Sequence, residues 1–466
     1  MASLTAVAKK QRRLVPSWLW PGPGDIGIEH PVLIRSGLGL VYIYLALLFL
    51  PDNLYSVLRF VIHPLAVLWL GIALPKMAGR IRFAFPFYIL LLLQIWMVLS
   101  MVLTQDIVSK PIVTGEYLWF PLELGILYVL MIGLGGVLQT VSRYIINFFL
   151  LICTASGFVA VLQAMHFGPS IWIANFYVYR SIEGWDKIEG IRASGLSSNP
   201  NVNVLSMLVA ATLIAYKSSR RQLRWYDYSM WVLFIVASFV AQHRSSMPLV
   251  ALTFLVTTFI LFRRRPVAVG TVLAACLVLF ALAATVLKHN FAYTFETTWS
   301  SETPQLRGRL DEEDQAYAYF KRYPLTGVGP SPYPENFSIM PTNEFDIRVE
   351  NLYYAILLTL GIPGIILVLT MYGGAAIIAV AYALNRRLSR DVRILMVGCA
   401  LGAVNLLWNG NVAVNITQFH IMFTYMMLLA LGQLALTPRA ASLRLRVSPY
   451  LQTRDTQANP LVRANR

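Results

Sequence analysis

RVENLYYAILLTLGIPGIILVLTMYGGAAIIAVAYAL, residues 348–384, decides what kind of protein this is. After Arg348, Glu350 and Asn351 no charged residue occurs until Arg386. About 20 apolar residues suffice to cross the hydrocarbon core of a bilayer. The apolar part, 351–383, is too long for one upright helix. Gly361, Pro363 and Gly364 mark where it bends, or else its far end projects into the cytoplasm. The charges at its lip have two readings. They are ordinary helix-start residues, or they are groups held over a membrane-bound substrate.

Working outward, the same pattern recurs along the chain. Of the 466 residues, 57% are hydrophobic and 13% charged, against about 25% charged in soluble domains. Solid apolar runs exclude the short alternating strands of a membrane barrel. The fold class is therefore all-α integral membrane, with about twelve transmembrane helices. The spans are expected near 32–50, 54–74, 84–104, 117–138, 144–165, 200–216, 226–242, 246–262, 267–287, 351–383, 394–409 and 413–435. The first is expected to be a retained helix, because no small-residue cleavage site follows the basic start.

Basic clusters fix the orientation. Lys9, Lys10, Arg12 and Arg13 precede span one; Lys76, Arg80 and Arg82 follow span two; Arg143 follows span four. Lys217, Arg220, Arg221 and Arg224 follow span six, Arg263 to Arg265 span eight, and Arg386, Arg387, Arg390 and Arg393 span ten. Cytoplasmic loops carry such excesses, so both termini are expected in the cytoplasm. The formal charge of +16 is accounted for by this pattern and by anionic lipid, not by nucleic acid. The three cysteines, Cys153, Cys276 and Cys399, sit in apolar runs as small core residues.

The opposite face carries two long segments, 166–198 and 288–350. The second holds six Lys/Arg and ten Asp/Glu, unlike a cytoplasmic loop. Within it LDEEDQAYAYFKRYP, 310–324, reads as an amphipathic helix. Acids are expected in its first turn and Lys321 and Arg322 in its last, matching the helix dipole, with Pro324 as the stop.

Arginines gather on this face: Arg192 in GIRASGLSSNPN, Arg244 in QHRSS, then Arg307, Arg309 and Arg322. One such residue is ordinarily an interfacial side chain that snorkels. Several together suit a phosphate or diphosphate, since guanidinium binds it bidentately and keeps its charge. SNPN reads as a helix start, with Pro200 in the first turn and Asn199 as cap; Asn201 follows. Such a start also attracts anions. Glu350 is either a helix-start carboxylate or a general base, with Asn351 beside it. Glu123, inside span four, is either structurally paired or functional. His243, next to Arg244, either orients a phosphate or is structural. No histidine or cysteine spacing indicates a metal. GVGPSP contains G-x-G without the strand–helix context of a nucleotide fold.

These stretches are similar to motifs of the bacterial O-antigen ligase and O-antigen polymerase family. RGRLDEEDQAYAYFKRYPLTGVG, 307–329, resembles the family's loop signature, in which an arginine opens a loop helix and a Pro-x-x-Gly-x-Gly turn follows. Arg309, Pro324, Gly327 and Gly329 match those places. RASGLSSNPN from Arg192 resembles the earlier motif, HRSS the middle one, and ENLYYAILLTLG from Glu350 the segment after the loop. Two departures stand out. Glu313 occupies a place where an aromatic, commonly Trp, is usual, and Glu350 one where ligases typically carry a histidine. The carboxylate moves the reading towards a polymerase of exopolysaccharide or O-antigen repeat units.

The resemblance implies a GT-C-like architecture in the bacterial inner membrane. It comprises a basic cytoplasmic N-terminus (1–31), transmembrane helices one to nine (32–287), a large periplasmic loop with short helices (288–350), helices ten to twelve (351–436) and a cytoplasmic tail (437–466). It also implies a metal-independent, inverting glycosyltransferase without cofactor. The donor would be a glycan on undecaprenyl diphosphate, and the acceptor a glycan or lipid-linked glycan. Polysaccharide assembly and chain-length proteins are the expected partners. Arg192, Arg244, Arg309 and Arg322 would hold the diphosphate, with Glu350 as the base and Arg309 acting in catalysis. Asn199, Asn201, His243, Asn351 and Glu123 would support them. Two other readings fit the span plan: a ligase joining glycan to lipid A–core, and a lipid-glycan flippase. Transporters often show repeats and midplane polar residues, whereas the polar residues here gather on one face.

Overall fold

An apolar run long enough to cross a bilayer has one stable form there, because a helix satisfies all its own backbone groups. The structure, a computed structural model, bears this out over the residues it describes: 19–21, 31–77, 84–104, 114–137, 141–165, 167–177, 193–197, 200–220, 222–241, 246–263, 267, 269–271, 274, 304–330, 339–341, 346–349, 351–410 and 419–436. Helices α1 (Pro31–Leu47), α2 (Asp52–Met77), α3 (Phe85–Leu103), α4 (Thr114–Val137) and α5 (Val141–Ala164) stand where the first five spans are expected. A short α6 (Gly168–Tyr177) follows. Then come α7 (Pro200–Ser219), α8 (Trp225–Val240), α9 (Met247–Phe262), α10 (Pro304–Arg322), α11 (Leu352–Leu384), α12 (Arg390–Asn409) and α13 (Phe419–Leu436). The expected span 267–287 lies almost wholly outside the described residues. So do most of the N-terminus and the whole tail from residue 437. By length and composition α3, α5, α7, α11 and α12 are each sufficient to cross a membrane.

The bundle is built around α7. Residues 201–216 of that helix are all buried, which is what a helix apolar on every side requires. It packs against α8, α12, α9, α5 and α13. On the other side α4 meets α1, α2, α3 and α13, and α11 lies between α3 and α12.

One expectation is corrected. The loop helix begins at Pro304, not near Leu310, so its four acids lie mid-helix and none is in the first turn. Pro304 favours that earlier start, because its missing N–H is not needed in a first turn. Lys321 and Arg322 do close the last turn. The segment 166–198 contributes α6. Beyond α10, β1 (Ile339–Pro341) and β2 (Asp346–Arg348) pair antiparallel.

The long run does bend, and at Gly361, whose backbone (φ 63°, ψ −159°) is not helical. A break inside apolar surroundings frees carbonyls that must find donors. Here each has one. Leu358 O accepts from Val328 N at 2.8 Å. Thr359 O accepts from Ser100 Oγ at 3.3 Å and Leu360 O from Trp96 Nε1 at 2.8 Å. Past the break Ile362 N donates to Pro324 O at 2.9 Å. Ser100 Oγ shares this one proton with Thr326 O, the nearer acceptor at 2.7 Å, in a three-centre bond. The Pro-x-x-Gly-x-Gly turn therefore plugs the break, and the G-x-G pattern serves close backbone approach. A Cβ at Gly327, itself at φ 64°, would meet Thr359 C at 2.4 Å and Leu358 O at 2.6 Å.

Gly327→Ala should therefore destabilise the protein. The left-handed backbone alone costs about 1–3 kcal/mol, and overlap with α11 adds to it. Gly373→Ala, where a Cβ meets nothing within 4 Å, should be neutral or gain up to about 1 kcal/mol of helix propensity. Thermal unfolding of the purified protein in detergent compares them. Equal melting points would remove the close-approach account.

Candidate functional site at one end of the bundle

The first motif sits on the end of α5. Gln163 grips the turn at Gly195 from both sides: its Oε1 accepts from Gly195 N at 2.8 Å and its Nε2 donates to Gly195 O at 3.1 Å. Ser156 Oγ accepts from Leu196 N at 3.0 Å and donates to Asn203 Oδ1 at 3.0 Å. Ser197 Oγ closes the turn on Ser194 O at 2.6 Å. The helix starts at Pro200, as its sequence indicates.

The middle motif is tied to the end of α12. Ser246, two residues after Arg244, donates to Asn409 Oδ1 at 3.0 Å, and Asn409 Nδ2 donates to Asn405 Oδ1 at 2.6 Å. All three side chains are buried. The end of α12 is tied in turn to the start of α11. Leu352 N donates to Gly410 O at 2.7 Å, and the Tyr353 hydroxyl donates to Leu407 O. A free amide of one helix start thus meets a free carbonyl of the neighbouring helix end.

The loop helix reaches the same place. Asn351 caps α11, its Oδ1 accepting from Tyr353 N at 3.0 Å. Its Nδ2 donates to Glu313 Oε1 of α10 at 3.1 Å. Arg309 lies on α10 one helical turn before Glu313, at a position sharing that face. Three links, Ser246–Asn409, Gly410–Leu352 and Asn351–Glu313, therefore join the neighbours of Arg244, Glu350 and Arg309 in one cluster. Among the described residues, Asn203 Nδ2 and Asn405 Nδ2 are buried donors with no hydrogen-bond partner. Among the described residues, this end of the bundle offers amide and hydroxyl donors and the Glu313 carboxylate.

Arg192, Asn199, His243, Arg244 and Glu350 themselves lie outside the described residues, as does the side chain of Arg309. Asn201 is buried in the first turn of α7. Arg322 is exposed, its guanidinium 5.5 Å from the Tyr319 ring centroid. It is nine residues past Glu313, about half a turn round the helix, so it does not share the face that meets Asn351.

Glu123 has a different partner. Its Oε1 is 3.0 Å from His63 Nε2, and His63 Nδ1 is 2.6 Å from the Tyr44 hydroxyl. The three side chains are buried, at 2%, 0% and 0% exposure. The imidazole bridges the other two, its Nε2 within ion-pair range of the carboxylate and its Nδ1 within hydrogen-bond distance of the tyrosine hydroxyl. This cluster belongs to α1, α2 and α4 and explains how a carboxylate is tolerated inside a span.

The other end of the bundle is ionic. Lys217 Nζ is 2.5 Å from Asp227 Oδ1, and Arg220 Nε is 3.7 Å from Asp391 Oδ2. The basic clusters after spans six and ten therefore share one end, at the last turn of α7 and the first of α12. The polar cluster lies at the opposite ends of the same two helices. Each has 20 residues, so roughly 30 Å separates the ends at 1.5 Å per residue.

Sequence reasoning missed Gln163, Ser156, Asn203, Ser246, Asn405 and Asn409, and it reads Glu313 only as a departure from the family pattern. For most of them a signal existed, since an amide inside an apolar span needs a partner. Residues 229–369 match the family model described as O-Antigen ligase. No curated protein matches the chain. The matched stretch holds the middle motif, the loop helix, the glycine turn and the start of α11.

His63→Leu should destabilise the protein by about 3–5 kcal/mol, because it strands the buried Glu123 carboxylate. His63→Leu with Glu123→Leu should be milder than either single change. Melting points of the three variants check this, and additive losses would show that the two residues are not a coupled pair.

Proposed function

We propose, from the premise that this chain belongs to the O-antigen ligase and polymerase family through residues 229–369, that it polymerises polysaccharide repeat units. The family indicates glycosyl transfer from a lipid-linked glycan in the membrane. In the proposed reaction the acceptor hydroxyl oxygen attacks the anomeric carbon of a glycan on undecaprenyl diphosphate. The bond from that carbon to the diphosphate oxygen breaks, and the diphosphate leaves with the electron pair. Glu350 takes the hydroxyl proton, with Asn351 beside it. Arg192, Arg244 and Arg309 stabilise the charge growing on the phosphate oxygens, which preorganised donors do without reorganisation. The configuration inverts and no metal takes part.

One observation carries this reading. The hydrogen bonds Ser246–Asn409, Leu352–Gly410 and Asn351–Glu313 gather segments far apart in the sequence at one end of the bundle. Those segments adjoin the residues given the chemistry. The ionic end, with Lys217, Arg220 and Asp391, supports a cytoplasmic placement for the opposite side. The reacting centre is then periplasmic in the bacterial inner membrane, and both termini are cytoplasmic. The 288–350 segment forms the periplasmic cover, with α10 as its main helix.

The ligase reading is favoured by the description of the matched family itself. Glu350 in place of a histidine favours the polymerase. Deleting the gene separates them: loss of polymerised repeats with capped lipid A–core intact supports polymerase, and loss of capping supports ligase.

Arg309→Ala and Arg244→Ala should each abolish transfer while the protein still inserts. Glu350→Gln should slow transfer by about 10²–10⁴-fold, the range for a lost general base, with donor binding little changed. Product gels on reconstituted protein given lipid-linked glycan measure both. Full activity in both arginine variants would remove the diphosphate role, and a silent Glu350→Gln would leave Glu350 a helix-start residue.

A further inference from the structure

Asn351 has one side-chain amide and two neighbours that constrain it. The backbone N–H of Tyr353 can only donate, so it fixes Oδ1 at the helix start. Nδ2 must then face the other way, towards α10, where only an acceptor fits. Glu313 supplies one at 3.1 Å. Both residues are half-buried, so solvent does not fully screen the bond. Along α10 its neighbours Asp311, Asp314 and Gln315 are exposed. Among the described residues, α10 packs against α11 and β2. Its far end runs into Tyr323, whose carbonyl accepts from Gly327 N at 2.9 Å in the turn that plugs the break in α11. The loop helix is thus fastened to α11 at two places. The turn holds it at Gly361 and Glu313 holds it at Asn351.

We infer that Glu313 is a positioning residue, docking the loop helix on the first turn of α11 and thereby setting the Arg309 position against the start of that helix. The inference deepens the glycosyl transfer reading and rests on it for its kinetic part. Its structural part stands alone. The bond has a direction that can be reversed. Asn351→Asp keeps the cap but removes the only donor, setting carboxylate against carboxylate. Adding Glu313→Gln puts an amide donor on α10 and restores the bond with its polarity turned round.

The experiment uses the full-length protein in proteoliposomes, with two readouts. Hydrogen exchange over residues 304–322 reads docking. Kinetics with a polyprenyl-diphosphate glycan read transfer. Glu313→Ala and Asn351→Asp should each raise exchange in the loop helix and lower kcat/KM by about tenfold or more, as loss of a hydrogen bond to a charged group does. The loss should fall mainly on kcat. Glu313→Gln alone should keep most of the protection, because its carbonyl still accepts. The double variant Asn351→Asp/Glu313→Gln should recover both readouts relative to Asn351→Asp. A double variant no better than Asn351→Asp, or unchanged exchange in both Glu313→Ala and Asn351→Asp, overturns the docking role. Restored protection without any recovery of kcat overturns the positioning role. If the wild type transfers no glycan while the exchange series behaves as stated, docking stands and the glycosyl transfer reading fails.

Discussion

Hydrocarbon offers a backbone no water. A helix can break inside it only where the protein itself satisfies the freed groups. That constraint is met at Gly361, and the rest of the candidate site depends on it. Leu358, Thr359 and Leu360 lose their helical partners, and Val328, Ser100 and Trp96 replace them. The replacements come from two elements, the glycine turn and α3. The first turns of α11 are consequently held from several sides, and Asn351 starts from a fixed place.

The same reasoning extends to the ends of the neighbouring helices. Helix termini leave amides and carbonyls unmatched. Here Leu352 N and Gly410 O satisfy each other, while Asn351 serves Tyr353 N and Gln163 serves both sides of Gly195. The polar cluster is made largely of groups that helix ends leave over. It needs few charged side chains of its own, which suits a place beside apolar lipid. The Tyr44–His63–Glu123 group follows a different rule. It pairs a buried carboxylate within the spans.

Much of this fold was legible in the sequence, because span length is set by bilayer thickness and apolar runs display it directly. The bend of the long run was legible as well, since Gly361 and Pro363 disfavour an unbroken helix. The start of α10 was not, because the acids at 311–314 imitate a first turn. The meaning of Gly327 and Gly329 was visible only as a pattern. What meets Gly327 is α11 backbone more than 30 residues later in the chain, and no local rule names it. Glu313 was noticed as an odd residue, but its partner lies 38 positions away. Asn405 and Asn409 could have been flagged inside their span, though not joined to Ser246, 163 residues before Asn409. For Glu123 the sequence left pairing and function open, and the structure supplies His63 as its partner.

The plug at Gly361 also bears on how the chain is made. Trp96 and Ser100 are made well before α11, since the carbonyls they serve are 264 and 259 residues further on. The turn that completes the plug emerges before α11 does. Until the ribosome has delivered α11, α3 carries an indole N–H and a hydroxyl with no such acceptor, and the loop helix has nothing to lie on. Assembly of this end therefore waits for α11, and a chain halted before α11 leaves the membrane with spans but without the arrangement that gathers the motifs.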